Sequence, residues 1–180
     1  KLMARQMQLV NDTLQGDFTI KHIFVICKNS GTVEGDDIVY MDCNEHYKSL
    51  YSKTYAYWTT ISSLYDAKFY SKRDTDTYVC WVPVIRRLTR TAKARVPIYA
   101  GGASFNSPVM KDPNHRWHDE LLAQVAPGQS TYWPYMQGAY YLLSRDLTDV
   151  LSMVRDQLQT FVNEDAMMGG WLLPYRKVTV

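Results

Sequence analysis

Residues 69–82 read Phe69-Tyr70-Ser71-Lys72-Arg73-Asp74-Thr75-Asp76-Thr77-Tyr78-Val79-Cys80-Trp81-Val82. Two acids one residue apart therefore follow one apolar run and precede another. In an extended segment alternate side chains point the same way, so Asp74 and Asp76 are expected to converge. Converging carboxylates repel each other unless a cation lies between them, and Mn²⁺ or Mg²⁺ takes carboxylate, phosphate and water oxygens. The alternative is an ordinary polar turn, since Asp and Thr are common turn residues.

Regular elements are predicted upstream of this acid pair from the spacing of apolar residues. A helix over residues 1–15 is expected to stop at Gly16, and the continuous apolar run 22–27 predicts a strand buried on both faces. A second strand is predicted at 37–42 and a third at 67–73. Between these two, aromatic and aliphatic residues from Tyr47 to Tyr65 predict a helix, with Asn44 as its N-cap and Glu45 in its first turn.

Downstream of the pair, Pro83 is expected to open a short helix through residue 90, and a strand at 96–100 is expected to end at Gly101-Gly102. Residues 103–131 predict a long surface connection, which we expect to be a mobile lid. A strand at 140–143 leads into a helix capped by Ser144. The alternation of strands and helices predicts an α/β domain with a sheet flanked by helices, and ligands of such sheets bind where strands end.

Composition narrows the class of protein. The chain has 180 residues, 46% apolar and 21% charged, which suits one soluble globular domain. A net charge of +2 without a long basic run gives no sign of a nucleic-acid partner. The 14 tyrosines can line a sugar-binding cleft or simply fill the core. No apolar run approaches the roughly 20 residues that a membrane span needs. The sequence begins without an initiator Met or a signal-like segment, so we expect a piece of a longer protein.

Cysteine usage predicts no cross-link. Cys27, Cys43 and Cys80 make no disulfide framework, and none has the spacing of zinc ligands. Cys27 and Cys80 lie in apolar runs and are expected to be buried thiols. Asn11-Asp12-Thr13 matches the N-glycosylation pattern, which also arises often by chance.

Four segments, taken together, resemble the conserved blocks of one protein family. They are residues 35–42 (GDDIVYMD) with Tyr47 and Lys53, residues 69–79 (FYSKRDTDTYV), residues 132–144 (YWPYMQGAYYLLS) and residues 164–169 (EDAMMG). A fifth, weaker similarity is carried by residues 98–101 together with Trp117. In this order and spacing they resemble the inverting β1,3-glycosyltransferases, a family that includes β1,3-galactosyl- and β1,3-N-acetylglucosaminyltransferases of the secretory pathway.

The resemblance implies one catalytic domain over residues 1–180 with a GT-A type, Rossmann-like mixed sheet flanked by helices. It implies a UDP-sugar donor, a glycan acceptor on a glycoprotein, glycolipid or phosphoglycan, and Mn²⁺ or Mg²⁺ as cofactor. It also implies a type II membrane protein of the Golgi or ER lumen, with any anchor outside this segment. The expected reaction moves galactose or N-acetylglucosamine to a 3-hydroxyl with inversion.

Matching positions receive the family's roles. Asp74 and Asp76 become the metal–diphosphate motif, and Asp165 becomes the general base. The remaining candidate residues are expected on the donor or acceptor side: Arg73, Pro134, Tyr135, Gly138 and Glu164. From the residues alone, the acids at 164 and 165 could equally mark a helix start capped by Asn163.

The sequence departs from the family in four respects. Thr75 stands where the family has a middle acid, so metal binding is expected to rest on its two neighbours. Arg73 either touches the diphosphate or competes with the metal. The family's early block with Arg and Trp is not matched, and no His follows Asp165 to serve as a late metal ligand.

Two other functions stay open. A catalytically inactive domain that binds a nucleotide sugar would share the fold and lack turnover. A metal-dependent phosphoryl-transfer domain also uses paired acids, although it would normally carry more of them and a basic groove.

Overall fold

The computed structural model describes residues 2–31, 34–93 and 96–175, and its strands lie in two sheets. Strands β1 (Phe24–Cys27) and β2 (Ile38–Met41) pair in parallel. Strands β3 (Phe69–Arg73), β4 (Tyr99–Ser104) and β5 (Tyr135–Ser144) form an antiparallel sheet in the order β3-β5-β4. The α/β class is confirmed, whereas the strands of the described residues form these two sheets rather than the one mixed sheet that we expected.

The α-helices of the described residues are α1 (Leu2–Leu14), α2 (Leu50–Leu64), α3 (Trp81–Ala92), α4 (Glu120–Val125), α5 (Arg145–Met153) and α6 (Glu164–Trp171). Helix α2 packs against α5 and α6, helix α6 packs on β5, and helix α1 packs on α3. Trp81 of α3 contacts Tyr140 and Trp58 of α2 contacts Tyr141, so helices lie on both faces of β5.

The core centres on Trp58 of α2 and Tyr141 of β5, both fully buried. Their rings stack with centroids 5.5 Å apart, and the indole Nε1 donates a hydrogen bond of 3.0 Å to the tyrosine hydroxyl. Such aromatic pairs add to the stability gained from burial, provided that the polar tips find partners. Most buried tyrosines therefore fill core, while Tyr132 and Tyr135 line the cavity described below.

Helix α6 approaches β5 very closely at Gly169. A Cβ atom at this position would lie 2.6 Å from the Pro134 carbonyl oxygen and 2.7 Å from the Cβ of Tyr135. Any side chain would push the helix away from the strand, so glycine is needed to bring the start of α6 next to Gly138.

Several predicted boundaries need correction. The strand predicted at 22–27 begins at Phe24, which is 49% exposed, so it is not buried on both faces. Helix α2 begins after a 3₁₀ turn at Tyr47–Ser49, so Asn44 is not its cap; the Asn44 side chain instead accepts from the backbone N–H of His46. The strand expected to end at Gly101-Gly102 runs on to Ser104, with an irregularity between Gly101 and Ala103.

Residues 103–131 are more ordered than the predicted surface connection. They include α4 and isolated bridges that join Pro108 to Thr131 and Met110 to His118. Leu122 and Asp119 are fully buried within them. Their breakers of regular structure gave the prediction, but these buried contacts fold the segment onto the sheet; its mobility stays a prediction.

Two of the cysteine predictions were wrong, although Cys27 is fully buried as expected. Cys27 and Cys43, 16 residues apart, form a disulfide with a Cα–Cα distance of 5.0 Å, and Cys80 is exposed rather than buried. The pairing of β1 with β2 sets Cys27 opposite Met41, two residues before Cys43. The tertiary fold thus creates a proximity that cysteine spacing alone does not reveal.

Candidate active site

The two acids after β3 lie in a turn. The strand ends at Arg73, and the Thr77 N–H donates to the Asp74 carbonyl at 3.1 Å. The Arg73 guanidinium closes the turn through a 2.8 Å hydrogen bond to the Thr77 carbonyl. The premise of an extended segment was therefore wrong, and convergence of the two carboxylates does not follow from strand alternation. Asp76 is exposed, and the Asp74 side chain is 48% exposed.

Glu164 and Asp165 are the first two residues of α6. Asn163 occupies the N-cap position as predicted, but its side chain does not cap the helix. Its amide instead donates to the Trp117 carbonyl at 3.1 Å and to the Tyr132 hydroxyl at 2.6 Å. The start of α6 is thereby tied to the preceding segment 117–132.

Lys72 of β3 joins the two acid pairs. Its Nζ lies 2.8 Å from Asp74 Oδ1 and 3.0 Å from Glu164 Oε1, and it donates to the Gly138 carbonyl at 2.5 Å. The neighbouring carboxylates outweigh burial and raise the pKa of Lys72 above its usual range, although burial is the largest single influence and acts the other way. This lysine therefore stays charged and balances acids from both chain segments.

Glu164 faces the interior. Its side chain is only 13% exposed, and Oε2 accepts hydrogen bonds from Thr54 at 3.3 Å and from Tyr141 at 3.4 Å. Burial raises the pKa of Glu164 above its usual range, while Lys72 opposes this shift. A carboxylate held by a lysine and two hydroxyls is suited to fixing the structure around it.

Asp165 is held by backbone groups. The Gly138 N–H donates to Oδ2 at 3.1 Å and the Ala166 N–H to Oδ1 at 2.8 Å. Burial raises the pKa of Asp165 above its usual range, and these two N–H groups partly offset the shift. Because each carboxylate oxygen can accept more than one hydrogen bond, both keep capacity for a further donor.

Gly138 contacts both Asp165 and Lys72. Its N–H contacts Asp165 and its carbonyl contacts Lys72, so one residue of β5 holds the carboxylate and the cation. A Cβ here would lie 2.9 Å from Glu164 Oε1, 3.4 Å from Lys72 Nζ and 3.6 Å from Asp165 Oδ2. A side chain would displace these charged groups.

A cavity of about 220 Å³ opens beside Asp165. The lining is mixed aromatic, aliphatic and polar, and comprises Ser107, Pro108, Met110, Trp117, Tyr132, Tyr135, Asn163, Asp165 and Ala166. The predicted residue Tyr135 thus meets the predicted base here, and its hydroxyl donates to Ser107 Oγ at 3.2 Å. Pro134 lies beneath α6, where its carbonyl faces Gly169.

Asp119 is a buried carboxylate that the sequence did not reveal. It is 0% exposed and accepts hydrogen bonds from the N–H groups of Leu122 at 3.1 Å and Val162 at 3.2 Å, and from the Tyr132 hydroxyl at 3.3 Å. It thereby fixes the cavity wall and the entry to α6. Its position as N-cap of α4 could have been predicted from the sequence, but its long-range hydrogen-bond partners could not.

The turn acids fit a hard divalent cation on the chemistry of their donors. Magnesium-like ions are often held by one or two carboxylates, with substrate phosphates and water completing the shell. Asp76 and Asp74 supply two carboxylates at the surface, and Lys72 already balances part of the charge on Asp74. No cluster of three or more His, Cys, Asp or Glu side chains suited to a metal occurs in the described ranges.

Fold and site define an α/β protein in which acids from a strand end and a helix start meet at one lysine beside a cavity. The family model described as Galactosyltransferase matches residues 13–179. The chain therefore belongs to the galactosyltransferase family.

Among curated Arabidopsis thaliana proteins, the chain is 32% identical over 138 residues to probable beta-1,3-galactosyltransferase 4, an alignment covering 76% of the chain and 33% of that relative. It is 30% identical over 139 residues to probable beta-1,3-galactosyltransferase 13, covering 77% and 39%. The chain thus spans a third to two fifths of the length of these relatives. No described helix is long and apolar enough to cross a membrane.

Proposed function

We propose that this chain is the catalytic domain, or a large part of it, of a β1,3-galactosyltransferase with a GT-A type fold. It would transfer galactose from UDP-galactose to the 3-hydroxyl of a glycan on a glycoprotein, glycolipid or phosphoglycan, with inversion. The observation that carries this proposal is the position of Asp165, a carboxylate on the wall of a cavity with its pKa raised by burial. Family membership and the names of the relatives support galactose over N-acetylglucosamine.

Asp165 is the proposed general base. The acceptor hydroxyl oxygen attacks the anomeric carbon, the bond from that carbon to the diphosphate oxygen breaks, and UDP leaves with the electron pair. The hydroxyl proton passes to a carboxylate oxygen of Asp165. The Gly138 and Ala166 N–H groups keep the carboxylate oriented and its pKa below what burial alone would produce, so that it is ionised before it accepts the proton.

The acid turn is the proposed diphosphate side. A Mn²⁺ or Mg²⁺ ion held by Asp76 and Asp74 would act as a Lewis acid and neutralise the charge that develops on UDP. Lys72 stays beside Asp74 as a permanent positive charge, and the exposed guanidinium of Arg73 is available to a phosphate oxygen at the cost of its contact with the turn. Glu164 supports the site through Lys72.

The compartment is proposed as the Golgi or ER lumen. Disulfides form and persist in oxidising compartments, and the Cys27–Cys43 bond agrees with such a location. The resemblance to secretory-pathway enzymes points the same way.

The test is hydrolysis and transfer from UDP-galactose with and without Mn²⁺, run beside UDP-N-acetylglucosamine. We expect Mn²⁺-dependent turnover that prefers UDP-galactose. Binding of UDP-galactose without any turnover would instead favour an inactive sugar-nucleotide-binding domain. Turnover of phosphate esters in place of UDP-galactose would favour phosphoryl transfer.

A further inference from the structure

Trp117 is exposed and yet firmly placed relative to Asp165. Its side chain is 44% exposed, while its backbone carbonyl accepts a 3.1 Å hydrogen bond from Asn163, two residues before the proposed base. Its backbone N–H donates to His115 Nδ1 at 3.1 Å. A large ring is therefore held at the protein surface with its backbone fixed to the start of α6.

A second exposed ring lies beside it. The Arg116 guanidinium lies 4.4 Å from the Trp117 ring centroid and 5.6 Å from that of Tyr47, and it donates to the Tyr47 hydroxyl at 3.0 Å. Tyr47 is 52% exposed, and the two ring centroids are 6.4 Å apart. We name Tyr47, Arg116 and Trp117 the aromatic cluster.

The aromatic cluster is continuous with the cavity that contains Asp165, because Trp117 belongs to both. The cavity volume of about 220 Å³ is below the range of about 300–1,000 Å³ of pockets that enclose drug-sized ligands. The cavity therefore has room for about one sugar ring. Pro108 and Trp117 are the exposed residues of its lining, and Trp117 is the one of the two that offers a ring to a longer sugar chain.

We propose that the aromatic cluster is a subsite for the second sugar unit of the acceptor, while the cavity holds the unit with the attacking hydroxyl. The inference rests on the proposed function. Sugar rings have an apolar C–H face that packs on aromatic rings and hydroxyl oxygens that accept from a guanidinium, and the aromatic cluster offers both. Rigid, amphipathic aromatic side chains bind such ligands with little loss of conformational entropy.

The chemistry of the aromatic cluster also separates it from the donor side. UDP carries a diphosphate, for which the acid turn and a divalent ion are the proposed site. The Arg116 guanidinium lies over the Trp117 ring and donates to the Tyr47 hydroxyl, so a hydroxyl-rich sugar unit would meet the remaining exposed ring surface and the guanidinium N–H groups. The acceptor predicted is therefore a disaccharide or longer.

The experiment compares binding of methyl β-galactoside with that of a methyl galactosyl-galactoside, each titrated against the whole chain in the presence of UDP and Mn²⁺. Neither Tyr47→Ala nor Arg116→Met changes a residue that lines the cavity. We expect each to weaken disaccharide binding about tenfold and to leave monosaccharide binding unchanged, in keeping with the energy of one aromatic contact. Tyr47→Phe keeps the ring and should retain most of the affinity.

Trp117→Ala should weaken both ligands, and the disaccharide more. Phe24→Ala, which removes an exposed ring on β1, is the control and should change neither. The inference is overturned if wild type binds the disaccharide no better than the monosaccharide, or if Tyr47→Ala weakens both equally. Loss of UDP-galactose turnover with the disaccharide preference intact would instead count against the proposed function alone.

Discussion

The acid turn at Asp74 and Asp76 and the acid pair at the start of α6 look alike in sequence and differ in how their charge is balanced. The turn acids lie at the surface, and Lys72 contacts one of them. Glu164 and Asp165 are largely buried and have a lysine, two hydroxyls and two backbone N–H groups as partners. The protein itself balances the helix pair, whereas the exposed turn is open to an external cation in the function that we propose.

This difference separates two tasks. A site for a charged, exchangeable ligand must leave part of its own charge unpaired, because full internal pairing would compete with the ligand. A general base needs a fixed direction and a pKa moved toward neutrality, which burial and fixed dipoles provide. Four substitutions test whether the two acid pairs divide the work in this way.

The largest effect is expected for Asp165→Asn. The amide keeps the shape of the side chain but cannot take a proton, so the transfer rate should fall about 10²–10⁴-fold. Binding of UDP-galactose should persist, since the acid turn is unchanged. Single-turnover kinetics and UDP titration measure the two quantities, with Asp156→Asn, an exposed acid, as control. Near wild-type transfer would remove Asp165 from the mechanism.

Asp76→Asn should mainly weaken binding. Removing a residue that supports a metal ligand typically lowers metal affinity about 10–100-fold. Because Asp76→Asn removes the charge of a proposed ligand itself, we expect Mn²⁺-dependent UDP affinity to fall roughly a hundredfold. Asp74→Asn should lower the UDP affinity by no more than Asp76→Asn does, because Lys72 already balances the charge of Asp74. Calorimetric titration with UDP at fixed Mn²⁺ measures both. An unchanged Kd for the Asp76 variant would show that the acid turn does not bind the metal.

Lys72→Met should mainly reduce stability. Removing one partner of a buried ion pair leaves the other unpaired, and because Lys72 is 24% exposed we expect about 2 kcal/mol in the free energy of unfolding. Lys53→Met removes the partner of the more exposed Glu45 and should cost less than about 1 kcal/mol. Urea unfolding compares the two variants. Equal losses would mean that the helix pair is no better shielded than the surface.

The smallest effect is expected in the pH dependence. The pKa of Asp165 is raised, so kcat/KM should fall on its acid side at a pH above the ordinary aspartate pKa of 3.8. Lys72 lowers this pKa, so Lys72→Met should move the acid limb to higher pH. The free energy of unfolding of this variant should fall as pH rises above the ordinary glutamate pKa of 4.5, because Glu164 ionises there in the unfolded chain, whereas burial, no longer opposed by Lys72, keeps it protonated in the folded state. If wild type and Lys72→Met have the same acid limb in kcat/KM, Lys72 does not affect the pKa of Asp165.

The sequence predicted the helices and strands with strong periodicity and missed what depends on distant partners. Helix α2 and strand β3 were recognisable from spacing alone. Strand β5 begins earlier than predicted because β4 pairs with Tyr135 and Met136, which overrides the weak strand propensity of Gly138. The Cys27–Cys43 bond was missed for the same reason, since strand pairing produces it.

Candidate site residues followed the same rule. Asp165 was found by resemblance, and the cavity beside it required the folded segment 103–131. Lys72 had a readable signal, because it lies two residues before Asp74 and alternate residues of a strand share a side. The sequence gives little indication that Asp119 is buried, because its neighbours predict a surface loop. Its burial depends on Tyr132 and residues 162–163.

Gly138 limits how this site can change over generations. Its peptide groups hold Asp165, the proposed base, on one side and Lys72 on the other, so a shift of that backbone moves both partners together. A lineage that drifts at this position loses the alignment of two functional groups through one substitution. A lineage that instead re-tunes its base must do so through the surrounding wall, at residues such as Tyr135, while this short piece of main chain stays as it is.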